Sequence, residues 1–221
     1  MTENPKTAIE LMTRGPVIPV VVLDQPQHAV PLARALLAGG VDTMEITLRT
    51  PHALDAISAV AQDVPGMAVG AGTIIRPDQA ERAVRAGASF LVSPGCTPRL
   101  LSAMLDQGVP VLPGAASASE VIALLEQGIT EMKFFPAATI GGVPALRALG
   151  GPLPEVTFCP TGGINPATST EYLALPNVAC VGGSWLTPNA LVAAENWATI
   201  TEAATQGRVS RPATTTATTS G

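Results

Sequence analysis

The stretch Ala38-Gly39-Gly40-Val41-Asp42-Thr43-Met44-Glu45-Ile46-Thr47-Leu48-Arg49-Thr50-Pro51 holds one complete structural unit. Two glycines stop a helix, an apolar and β-branched run follows, and a threonine-proline pair opens the next helix. Glycine just past a helix relieves the left-handed backbone of the C-cap, and proline fits the first helical turn, where its missing N–H has no partner to lose. The same stops recur at Ala86-Gly87-Ala88, Gln107-Gly108-Val109 and Gln127-Gly128-Ile129, and the same starts at Arg76-Pro77-Asp78, Thr97-Pro98, Ser117-Ala118-Ser119-Glu120 and Asn165-Pro166. Apolar runs begin near Val17, Val41, Met67, Ser89, Val109, Glu131, Val156 and Val178, a step of 20 to 26 residues throughout. Strands alternating with helices, with no hairpin turns between them, predict a parallel sheet buried on both faces. Eight such units close a (β/α)8 TIM barrel, an α/β fold in a single domain. An open doubly wound sheet fits less well, because no GxGxxG turn follows the first strand and two sheet edges would be left exposed.

The barrel is assigned to residues 1–207, with a short N-terminal helical segment. Residues 208–221, Arg208-Val209-Ser210-Arg211-Pro212 and a Thr/Ala/Ser/Gly run, read as a disordered low-complexity tail. A net charge of -5, scattered arginines and few aromatics argue against nucleic-acid binding. No apolar run approaches the roughly 20 residues that span a bilayer, so no membrane partner is expected. The start, Met1-Thr2-Glu3-Asn4-Pro5, lacks the layout of an export signal, and Cys96, Cys159 and Cys180 form no CxxC pair, which suits a cytoplasmic protein with core or near-core thiols. His28 and His52 read as surface residues near helix starts. Two histidines do not supply a metal cluster, so no metal and no cofactor is expected.

In such a barrel the chemistry sits at the carboxyl ends of the strands. Strand two offers Glu45 and, at its exit, Arg49, four residues on and so on the same side of the pleat. Strand three ends Val69-Gly70-Ala71-Gly72-Thr73, strand four Val92-Ser93-Pro94-Gly95 and strand five Leu112-Pro113-Gly114. Strand six is Glu131-Met132-Lys133-Phe134-Phe135-Pro136, and Lys133 is one of only two lysines, the other being Lys6. A barrel strand has no solvent face, its side chains pointing into the barrel or under the helices, so Lys133 is expected to be buried. Burying an ammonium costs several kcal/mol unless it is paired, and an amine relieved of its proton is a nucleophile towards carbonyls. A purely structural ion pair of Glu45 with Lys133 or Arg49 stays open. Together these residues imply a 2-keto acid: Lys133 for its carbonyl, Arg49 and Thr73 for its carboxylate, Glu45 for proton transfer. The exits Thr161-Gly162-Gly163-Ile164 and Gly182-Gly183-Ser184-Trp185 present backbone N–H groups where barrels often hold phosphate.

The runs Glu45-Ile46-Thr47-Leu48-Arg49-Thr50, Gly70-Ala71-Gly72-Thr73, Val92-Ser93-Pro94-Gly95, Lys133-Phe134-Phe135-Pro136-Ala137, Thr161-Gly162-Gly163-Ile164 and Gly182-Gly183-Ser184-Trp185-Leu186 closely resemble the 2-keto-3-deoxy-6-phosphogluconate (KDPG) aldolases of the Entner–Doudoroff pathway over about residues 8 to 205. The resemblance implies a metal-independent class I aldolase, a carbon–carbon lyase of barrel fold and a homotrimer. It makes Lys133 the Schiff-base lysine, Glu45 the general acid/base, and Arg49 and Thr73 the pyruvate carboxylate site, with Pro94 also at the substrate. Phe135 would pack beside the pyruvyl unit, Thr161 would influence stereochemistry at the aldehyde carbon, and Gly162, Gly163, Gly183 and Ser184 would hold phosphate. Activity on 4-hydroxy-2-oxoglutarate is implied as well. The alternatives are a 2-dehydro-3-deoxy-6-phosphogalactonate aldolase, whose second strand usually has no arginine at its exit, and a non-catalytic phosphometabolite-binding barrel, which would need neither Lys133 nor Glu45. Two departures stand out: Ser117-Ala118-Ser119-Glu120 where the family usually has Thr-Pro-Ser-Glu, and Ala137-Ala138-Thr139-Ile140.

Overall fold

The helix stops expected from sequence have the backbone they require: Gly40, Gly87, Gly108 and Gly128 take φ values of 81, 100, 68 and 77°. The computed structural model describes residues 3–207, and the sequence-predicted tail, 208–221, lies outside the described residues. The strands are β1 Val17–Val21, β2 Thr43–Thr47, β3 Ala68–Gly72, β4 Leu91–Val92, β5 Val111–Leu112, β6 Gly114–Ala115, β7 Glu131–Phe134, β8 Thr157–Pro160 and β9 Val181–Gly183. The helices are α1 Ala8–Thr13, α2 Ala29–Ala38, α3 Ala53–Asp63, α4 Pro77–Arg85, α5 Pro98–Leu105, α6 Ala118–Leu125, α7 Gly142–Gly150, α8 Pro166–Leu173, α9 Asn189–Ala193 and α10 Trp197–Gly207.

All strand pairs are parallel, in the orders β5-β4-β3-β2-β1-β9 and β6-β7-β8. β5 and β6 are two halves of the predicted fifth strand, broken at Pro113, which has no N–H for the ladder. At the other seam, Phe158↔Val178 and Thr161↔Gly182 bridge β8 to the β9 segment, so the eight predicted units curl round as a barrel. Two boundaries differ from expectation. Val178 makes only its isolated bridge, and the eighth ladder starts at Val181. α3 starts at Ala53, not at Pro51, because residues 48–52 turn instead, with the Thr50 hydroxyl donating to Leu23 O at 2.7 Å.

Successive side chains on a strand face opposite ways, and two cores result. Met44, Ile46, Met132, Phe134 and Phe158 pack outward with Leu32, Leu36, Ile57 and Val60 of the helices. Ile18, Phe90, Val92, Leu112 and Cys159 pack inside, joined by Leu11 and Met12 of α1, both fully buried, so α1 closes the amino-terminal mouth. Burying a large apolar side chain contributes roughly 1.5–3 kcal/mol, and α1 thereby fixes the floor on which the polar interior rests. His28, expected at the surface, is buried: its ring meets Trp197 edge-on at 5.9 Å and its Nε2 lies 3.4 Å from Glu195. A long-range ring contact with α10 covers it, which local sequence does not reveal.

Candidate active site

Two inward positions on β3 are glycines, and each makes room for a neighbour. A Cβ at Gly70 would sit within the Phe90 ring, and one at Gly72 would lie 2.5 Å from Glu45 Cδ. The Gly-Ala-Gly run therefore serves packing of side chains, and Gly72 lets the Glu45 carboxylate lie flat against the barrel wall. Lys133 enters from β7, between Gly114 of β6 and Cys159 of β8 in register. Both neighbours are small, which leaves its stem a channel across the interior.

The two charges meet there. Lys133 Nζ donates to Glu45 Oε1 at 3.1 Å and to Oε2 at 3.4 Å, and the side chains are 6% and 4% exposed. The ion pair left open by the sequence is thus real, and it is the kind of pair whose breakage leaves an uncompensated buried charge. The Phe135 ring stands 5.6 Å from Nζ, within reach of a cation–π attraction. At 3.1 Å the carboxylate can take the ammonium proton directly, which frees the amine as a nucleophile and leaves an acid beside it.

Next to the pair, with Phe135 common to both, opens a cavity of about 520 Å³ lined by residues that include Arg49, Phe135, Thr161, Gly162, Gly163, Gly183 and Ser184. Gly162 and Gly163 have φ of 100 and 74°, a consecutive left-handed pair that only glycine holds without strain. A Cβ at Gly163 would lie 2.6 Å from Ala138 Cβ, so the β8 exit also packs against the turn after β7. Gly183 is covered by the folded-back Trp185 ring, and Gly182 by Thr161, whose hydroxyl donates to Cys159 O at 3.4 Å.

Seven of the expected site residues share this cavity, and four lie elsewhere. Lys133 and Glu45 form the buried pair. Thr73 and Pro94 do not line the cavity: Thr73 follows Gly72 with φ of 60°, a strained backbone for a β-branched residue, and the Pro94 backbone packs on Gly114, the register neighbour of Lys133. The pleat argument for Arg49 fails. β2 ends at Thr47, and Arg49 is an exposed turn residue that reaches the cavity from the loop. Thr187, which also lines the cavity, was missed by the sequence reading. Cys159 and Cys180 are buried, and burial pushes the half-buried Cys96 thiol above its ordinary range despite a hydrogen bond with Ser93. Among the described residues no three His, Cys, Asp or Glu side chains cluster as metal ligands, and no helix is long and apolar enough to cross a membrane.

A parallel barrel with a buried amine–carboxylate pair next to a glycine-lined cavity belongs to the class of α/β barrels equipped to meet a carbonyl compound with a side-chain amine. The profile of the family described as KDPG and KHG aldolase matches residues 8–203. The chain is 49% identical over 207 residues to the 2-dehydro-3-deoxy-phosphogluconate aldolase of Pseudoalteromonas atlantica, covering 93% of this chain and 96% of that one. It is 49% identical over 203 residues to the KHG/KDPG aldolase of Escherichia coli K12, covering 91% and 95%. The crystal structure of the KDPG aldolase of Legionella pneumophila, with pyruvate captured at low pH as a covalent carbinolamine intermediate, superposes with a TM-score of 0.90 at 46% identity, covering 91% of this chain and 98% of that one. The chain belongs to the KDPG and KHG aldolase family.

Proposed function

We propose that this chain is a class I aldolase that cleaves 2-dehydro-3-deoxy-6-phosphogluconate to pyruvate and D-glyceraldehyde 3-phosphate, with Lys133 as the Schiff-base amine. The observation that carries the reading is the buried Lys133–Glu45 contact at 3.1 Å, next to the cavity through Phe135. A non-catalytic phosphate-binding barrel has no need to bury two charges there. Glu45 accepts the ammonium proton, and the free amine adds to the C2 carbonyl. Glu45, through a water, then supplies the proton on which the carbinolamine loses its hydroxyl. The resulting iminium draws electrons from the C3–C4 bond as Glu45 removes the C4 hydroxyl proton, so the aldehyde leaves and an enamine remains. Protonation at C3 and hydrolysis release pyruvate and restore the amine.

Arg49 from the β2 loop and Thr73 hold the keto-acid carboxylate, with Pro94 and Phe135 walling the pyruvyl unit. Arg49 supplies the planar fork that suits a carboxylate. Thr161 sits where the aldehyde carbon forms, and Gly162, Gly163, Gly183 and Ser184 receive the phosphate through backbone N–H and hydroxyl donors. The E. coli relative, a KHG/KDPG aldolase, supports a second substrate, 4-hydroxy-2-oxoglutarate. A cytoplasmic homotrimer completes the proposal on the strength of the family resemblance, and sedimentation equilibrium tests the trimer.

The experiment is a comparison of pyruvate release from the phosphorylated gluconate-series substrate, its galactonate epimer and 4-hydroxy-2-oxoglutarate. The expected order places the gluconate substrate first. Preference for the galactonate epimer would reassign the substrate, and no pyruvate from any of the three would overturn the activity.

A further inference from the structure

The turn after β9 carries a group that the proposed reaction does not use. Thr187 N–H donates to Ser184 O at 3.1 Å, so Ser184-Trp185-Leu186-Thr187 folds back and sets Thr187 in the cavity wall beside Gly182, Gly183 and Ser184. Thr187 is 4% exposed, and its hydroxyl has no hydrogen-bond partner. Equally buried hydroxyls elsewhere are satisfied: Thr47 donates to Val21 O, Ser89 to Val69 O and Ser169 to Pro166 O. A buried unpaired hydroxyl is costly, and such a group in a folded protein points to a partner that comes from outside the chain. Val20, Val22 and Ile164 line the same cavity, together with the polar Arg49, Thr161 and Asn189. A valine at 187 would line it equally well, so packing does not call for the hydroxyl.

We infer that the Thr187 hydroxyl is a further hydrogen-bond donor to the phosphate end of the substrate, a phosphomonoester dianion, acting with Ser184 across from Gly162 and Gly163. The inference rests on the aldolase reading above. The hydroxyl is sealed from solvent in the free protein, and a change of rotamer about the Thr187 Cα–Cβ bond would turn it towards the anion. A donor spent on a charged acceptor strengthens binding more than one spent on a neutral group.

The test uses the full chain with Thr187→Val, which keeps the shape, and Thr187→Ser, which keeps the hydroxyl. Thr187→Val is expected to raise KM for the phosphorylated substrate about tenfold, with kcat little changed and the loss restored in Thr187→Ser. Inorganic phosphate should raise the melting temperature of wild type and Thr187→Ser more than that of Thr187→Val. Without ligand, Thr187→Val should melt no lower than wild type, since it gives up no internal hydrogen bond. An unchanged KM, or a lowered melting temperature with an undiminished phosphate effect, overturns the inference. Pyruvate carries no phosphate, so borohydride trapping of pyruvate by wild type separates the two claims. If wild type traps pyruvate and cleaves substrate while Thr187→Val keeps its KM, only Thr187 is misassigned. If wild type does neither, the aldolase reading falls and takes this inference with it.

Discussion

Gly72→Ala tests the site's geometry without replacing a proposed catalytic residue. The new Cβ would lie 2.5 Å from Glu45 Cδ, whereas carbon atoms in contact sit about 3.5–4.0 Å apart. The carboxylate must therefore retreat by about 1 Å or more. Glu45 is 3% exposed and set between β1 and β3, with Val20 and Gly70 as register neighbours, so it must turn away from β3. Its contacts to Lys133, now 3.1 and 3.4 Å, would stretch beyond hydrogen-bonding range. Displacing a catalytic group by about 1 Å costs on the order of 100-fold in rate, equivalent to about 3 kcal/mol. The assay is steady-state pyruvate release with far-UV circular dichroism to confirm folding. Gly15→Ala, at the opposite mouth where a Cβ would meet nothing within 4 Å, is the control and should stay near wild type. A folded Gly72→Ala enzyme within a few-fold of wild-type kcat would refute the argument that Glu45 acts from this position.

Three further outcomes follow from named contacts. Lys133→Met should abolish cleavage and, by leaving Glu45 buried without a countercharge, destabilise the fold by about 3–5 kcal/mol in urea melts, most of it recovered in Lys133→Met/Glu45→Gln; equal stability of the two variants would contradict a coupled pair. Ala118→Pro should stabilise by about 0.4–1 kcal/mol, because Ala118 is the first residue of α6 and Ser117 before it is already extended at φ -142 and ψ 160°. A fall in melting temperature would mean that this loop needs the Ala118 N–H. The Cys96 thiol, pushed up by burial, holds less thiolate at pH 8 than a free cysteine, so iodoacetamide should label it more slowly than a short unstructured cysteine peptide. Labelling as fast as the peptide would contradict the burial.

The repeat was legible because its punctuation is local. Gly40, Gly87, Gly108 and Gly128 each stop a helix by their own backbone preference, and proline or a capping oxygen starts the next, as Thr97, Ser117 and Asn165 do. Lys133 was legible by elimination, since a barrel strand has no solvent face and so buries a lysine on either side of the sheet. The misreadings are non-local. Arg49 was placed by extending the pleat past Thr47, but the turn that lets Thr50 bond to Leu23 O ends the strand first. The glycines on β3 are space for Phe90 and Glu45, a fact visible only once the strands close into a ring. His28 is buried by a ring remote in sequence, and Thr187, next to the Gly182-to-Leu186 run, by a fold-back turn.

The most direct measurement is borohydride reduction of the protein saturated with pyruvate, followed by peptide mapping. A Schiff base at Lys133 predicts a single carboxyethyl adduct on that residue, with Lys6, the other lysine and an exposed one, unmodified. A folded sample that returns Lys133 unmodified, or carries its adduct elsewhere, would contradict the account.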